Sequence, residues 1–147
     1  MRHTAVADAK FMMVWLRAFV IWGLILAVEF AHGVARTLLL VPRVGDLPSR
    51  QIGIATGSLL VLAVSWLTVC WIGAGSRRQW LAVGALWVAL MAAAEVLLGR
   101  YAFGYPWSRI TEDFDPSRGG FLGLGLVVLL LAPLVMARVR RLASARH

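Results

Sequence analysis

Charge is scarce in this chain: Asp, Glu, Lys and Arg make up 15% of its 147 residues, where a soluble domain carries about 25%. Hydrophobic residues make up 61%, and the mean hydropathy is +0.79. The few charges lie mostly between long apolar runs, which excludes a large soluble core and points to a membrane protein. Cysteine is almost absent. Cys70 stands alone inside an apolar run, which excludes an intramolecular disulfide and a two-thiol redox centre. It reads as a small apolar helix residue. Also missing are G-x-S-x-G, H-E-x-x-H and P-loop patterns, an internal repeat, and any RNA- or DNA-binding motif. Ser58 and Ser65 have no histidine on their helix. The net charge of +8 is therefore assigned to lipid head groups and topology, not to nucleic acid.

What remains is apolar and organised. A membrane span takes about 20 mostly apolar residues. Four segments fit that length or come close: about 11–31, 52–72, 80–98 and 121–137. The last is short, and Gly119 and Gly120 can extend it. The expected fold is all-α, one integral-membrane four-helix bundle over residues 1–147. The first run is not a secretory signal, because it exceeds the roughly 7–15 apolar residues of such signals and Arg17 interrupts it. Arg17 is close enough to the head groups to snorkel. Pro133 should bend the last span. Gly53 and Gly57, Ala89 and Ala93, and Gly119 and Gly123 are small residues four apart, a spacing that allows close helix approach.

With four spans, the N-terminus, the segment 73–79 and the C-terminal tail share one side. That side holds eight basic residues (Arg2, Lys10, Arg77, Arg78, Arg138, Arg140, Arg141, Arg146), and the other holds six (Arg36, Arg43, Arg50, Arg100, Arg109, Arg118). The positive-inside rule then makes both termini cytoplasmic and the protein a multi-pass membrane protein. Two longer loops are expected outside. The first, 36–50, holds Pro42, Gly45 and Pro48, which favour turns. The second, 99–120, mixes aromatics and charges and is expected to cap the outer end of the bundle.

The candidate site lies at that outer end. Glu29 and Glu95 are the two acids within otherwise apolar stretches, where an unpaired carboxylate costs several kcal/mol. Glu29, His32 and Arg36 share a helix face, and Arg100 follows Glu95. The expected arrangement pairs Glu29 and Glu95 with Arg36 and Arg100, crosswise between the first and third spans, as a structural lock; the alternative is a polar pocket for a ligand, ion or proton. Trp107, Arg109, Asp113 and Asp115 are the outer-loop candidates, with Asp115-Pro116 read as a solvated turn. Glu29-x-x-His32 has the spacing of a diiron half-site, but such bundles use two such pairs and two further carboxylates. His3 and His147 lie at the termini, on the opposite face. Neither metal nor cofactor is expected.

Several features occur together here: Glu29 with Arg36, Leu40-Val41-Pro42, Arg50-Gln51-Ile52, Glu95 with Gly99-Arg100, Gly104-x-x-Trp107, and Asp113-Phe114-Asp115 before a glycine-rich start to span four. In these the chain resembles an uncharacterised group of short bacterial inner-membrane proteins with four predicted transmembrane helices, over residues 22–137. The resemblance implies the architecture and the outer cluster, and no activity. The function expected is that of a non-enzymatic accessory or assembly component, in contact with the lipid bilayer and with a membrane-protein partner or further copies of itself. A small oligomeric transporter or channel is one alternative. A membrane enzyme acting on lipid or quinone at the outer interface is the other.

Overall fold

The computed structural model describes residues 2–144, with side chains from Ala9 onward except Leu142; Arg146 and His147, counted above in the C-terminal tail, lie outside the described residues. Four helical spans cross the length of the molecule: Ala9–Val44, Asp46–Ile72, Arg77–Ala102 and Leu122–Arg141. Each is long and apolar enough to cross a membrane, so this is a multi-pass membrane protein of all-α class. Among the described residues there is no strand.

The first span contains α1 (Arg2–Ala35), a π-helical turn (Arg36–Leu40) and α2 (Val41–Val44). This corrects the expectation of a loop over 36–50. Pro42 lies within the continuous helical rod directly after the π-helical turn, whose wider winding accommodates the missing N–H, and Pro48 falls in the first turn of α3 (Asp46–Ile72). Neither proline turns the chain. Gly45 does so alone, at φ 85° and ψ 171°, a conformation closed to most side chains. The 36-residue rod is about 54 Å long at 1.5 Å per residue, well beyond a hydrocarbon core of about 30 Å.

Gly73, in the left-handed region at φ 71°, ends α3. Ser76 then caps α4 (Arg77–Leu97): its hydroxyl accepts from the Gln79 N–H at 3.2 Å, while the Gln79 side chain accepts from the Gly75 N–H at 2.9 Å. A second π-helical turn (Leu98–Ala102) leads to α5 (Trp107–Glu112), a 3-10 turn (Pro116–Arg118) and α6 (Leu122–Ser144).

Around the bundle the order is α1, α3, α6, α4. The chief packing is of α6 on α3 and α4, with α1 against α3 and, less extensively, α4. Joined by a short turn, α3 and α4 nonetheless stand across a diagonal. Trp87, Val83, Ile72 and Ile25 fill the interior. Leu16, Phe19, Leu59, Leu67 and Leu124 cover the outside, as lipid requires.

Close helix approach occurs elsewhere than the small-residue spacing suggests. Ala89 and Ala93 are exposed, and Gly123 has open space around it. The tight crossing is at Gly84, where an added Cβ would stand 2.0 Å from the Leu130 carbonyl oxygen of α6. Arg17 does more than reach solvent: it donates to the Trp71 carbonyl at the end of α3 (2.8 Å) and lies over the Trp71 ring.

Candidate functional site

At the loop end of the bundle α1 presents Glu29 and His32, and the π-helical turn after it presents Arg36, to α3, which answers with glycines and hydroxyls. The Glu29 carboxylate rests on Gly57, where an added Cβ would meet its oxygen at 2.7 Å. One turn along, the Arg36 stem crosses Gly53, where an added Cβ would stand 2.6 Å from Cδ. The buried pair Gly53 and Gly57 thus forms a recess for charged side chains, not a helix-to-helix seam. His32 Nε2 lies 2.8 Å from the Thr56 hydroxyl, and Nδ1 lies 3.6 Å from Glu29 Oε2, an ion-pair separation too long for a hydrogen bond. Glu29 Oε1 is buried with no hydrogen-bond partner among the described residues. Arg36 donates to Ser49 Oγ at 3.0 Å, and fully buried Ser49 donates on to the Asp46 carbonyl at 2.7 Å.

The expected glutamate–arginine pairs do not form. Arg36 is turned toward the hairpin by Ser49. Arg100 lies in the π-helical turn and faces outward, donating to the Tyr105 carbonyl at 3.3 Å with its guanidinium 5.9 Å from the exposed Trp107 ring. Glu95 sits on the exposed side of α4 within electrostatic range of Asp113, Glu29 and Arg36. Among the described residues it has no ion pair within 4.0 Å and no hydrogen bond. So Glu29, His32 and Arg36 come together, Glu95 approaches them, and Arg100 stands apart.

The lock is built from other residues. Asp46 and Arg50 in the first turns of α3 meet Arg109 and Asp113 at α5. Arg50 Nε is 3.3 Å from Asp46 Oδ2, Arg109 Nη2 is 2.9 Å from the same oxygen, and Arg109 Nη1 is 3.7 Å from Asp113 Oδ1. An Arg50–Asp113 contact closes a ring of alternating charge. Arg109 and Asp113 were legible candidates, whereas Asp46 and Arg50 were missed. Their signal was two acid–arginine pairs at i,i+4 spacing in opposite order, which stack as complements. Asp113→Asn is expected to cost about 1 kcal/mol in the wild type and clearly less with Arg50→Gln already present. Unfolding of the four proteins of that cycle in detergent measures the coupling, and strictly additive losses would show that the ring does not act as a unit.

Asp115 has a local role. Its carboxylate accepts from the Ser117 hydroxyl (2.6 Å) and backbone N–H (2.9 Å), capping the 3-10 turn. Those hydrogen bonds hold its pKa below the ordinary aspartate value. Gly120 lets the chain return past the Glu112 carbonyl, which an added Cβ would meet at 2.0 Å. Among the described residues no three His, Cys, Asp or Glu side chains are grouped as a metal ion requires. No family model, no curated protein and no solved structure matches this chain.

Proposed function

We propose that this protein is a non-enzymatic accessory or assembly component of the bacterial inner membrane, with both termini cytoplasmic, that docks against a second membrane protein or a further copy of itself through the outer part of α4. One observation carries the reading: Glu95 is an acidic residue on the exposed side of a membrane-spanning helix, without an ion pair or hydrogen bond among the described residues. A charge so placed is costly in lipid and calls for a cationic or hydrogen-bonding group from outside the chain. The separate Asp–Arg ring already anchors the outer segment, so Glu95 is not needed for that task. The bacterial inner-membrane setting is supported by the resemblance set out above and by the excess of basic residues at the termini end.

The test is native mass spectrometry of the protein purified in mild detergent, as wild type and as Glu95→Leu. Wild type is expected to carry a defined companion, either its own copy or another polytopic protein. Glu95→Leu should strip that companion while leaving the thermal midpoint of the bundle unchanged or higher. A companion retained by Glu95→Leu, or a wild type that is monomeric and alone, sinks the proposal.

The orphan Glu29 oxygen beside His32 and Thr56 favours a second reading, a small oligomeric transporter or channel that moves protons or small cations. Flux across liposomes that vanishes in Glu29→Gln supports it, and silent wild-type liposomes reject it.

A further inference from the structure

We infer that the termini end of the bundle holds a binding site for the phosphate of an anionic phospholipid, in the groove where α3, α4 and α6 meet. The groove is open to the outside and has a volume of about 500 Å³. Its wall is apolar, formed by Val69, Cys70 and Ala137, while its rim carries Arg140, Arg141 and Ser144. An apolar wall for an acyl chain beneath a cationic, hydroxylated rim for a phosphate matches the division within a phospholipid.

The rim is shaped as well as charged. Arg140 Nη1 donates to the Trp66 carbonyl at 2.6 Å, and its guanidinium lies 5.3 Å from the Trp66 ring centre. That anchorage fixes the plane of the fork. Among the described residues its Nε and Nη2 make no hydrogen bond, so they remain as donors suited to a phosphodiester. Arg141 is exposed beside it, and Ser144 adds a hydroxyl one turn on. Among the described side chains no acid offsets them: Glu29, Asp46, Glu95, Glu112, Asp113 and Asp115 all belong to the other end of the bundle. Lys10, Arg17, Arg77, Arg78 and Arg138 add to the positive field around this end.

Inorganic phosphate offers the same oxygens as a head group, and the test separates the two. Native mass spectrometry of the full chain in detergent is run with phosphatidylglycerol, with phosphatidylcholine and with inorganic phosphate as competitor. Retention of phosphatidylglycerol over phosphatidylcholine is expected, undisturbed by millimolar phosphate. Arg141→Gln should weaken it about fivefold, Arg141→Lys should restore part of the loss, and the double change Arg77→Gln with Arg78→Gln, outside the groove, should weaken it clearly less than Arg141→Gln alone. Equal retention of both lipids, displacement by phosphate, or an equal loss in the Arg77/Arg78 variant overturns the assignment. If Arg141→Gln does not fold, the lipid and phosphate arms on the wild type still decide.

Discussion

Gly84→Ala is expected to be the most damaging single-methyl addition within the spans, costing about 3 kcal/mol or preventing recovery of the folded bundle. The new Cβ would stand 2.0 Å from the Leu130 carbonyl oxygen, 2.8 Å from its carbon and 3.2 Å from its Cα. All three are backbone atoms in the middle of α6, so no rotamer change relieves the overlap. The helices must separate, and the layer containing Val83, Trp87, Leu129 and Ala132 loses contact with them. Gly57→Ala is the instructive contrast, because the obstructing atoms there are the tip of the Glu29 side chain, which can swing aside. Denaturant unfolding in detergent ranks the two. Wild-type stability in Gly84→Ala would contradict the close crossing of α4 and α6.

Trp87→Ala should cost about 3–5 kcal/mol, the range for emptying a large buried aromatic site. Trp87 is fully buried, and its Nε1 donates to the Ala18 carbonyl of α1 at 2.8 Å. That bond pins the less extensive of the two faces that α1 makes, so its loss falls on the contact holding α1 to α4. Trp87→Phe keeps much of the volume and removes the donor, and a loss of about 1 kcal/mol is expected. Equal losses for the two variants, by the same unfolding measurement, would mean that the hydrogen bond rather than the packing carries the site.

The number of spans and the helical class were legible because about 20 apolar residues in a row admit few other structures. Residues 36–50 were misread because proline was taken as punctuation, whereas Pro42 continues a helix that widens into a π turn just before it and Pro48 occupies a first turn, where proline is tolerated. The face shared by Glu29, His32 and Arg36 followed from three- and four-residue spacing and is present. Which partners those side chains take did not follow. Arg36 has a hydroxyl nearby on α3, and the π-helical turn at Leu98–Ala102 aims Arg100 away from the bundle; neither register change is written in local composition. Gly53 and Gly57 show the same limit. Their spacing marked a place where something comes close, but not that charged side chains from α1 would fill it.

The circular order of the spans has a bearing on how the protein is made. Because α1 lies against α3, and α4 against α6, each half of the chain folds back on its own neighbour in sequence. A ribosome therefore delivers two hairpins in succession, and the extensive face between α3 and α6 forms only once both are in the bilayer. Docking the halves is then a sideways encounter within the bilayer, so the order of synthesis and the order of packing coincide.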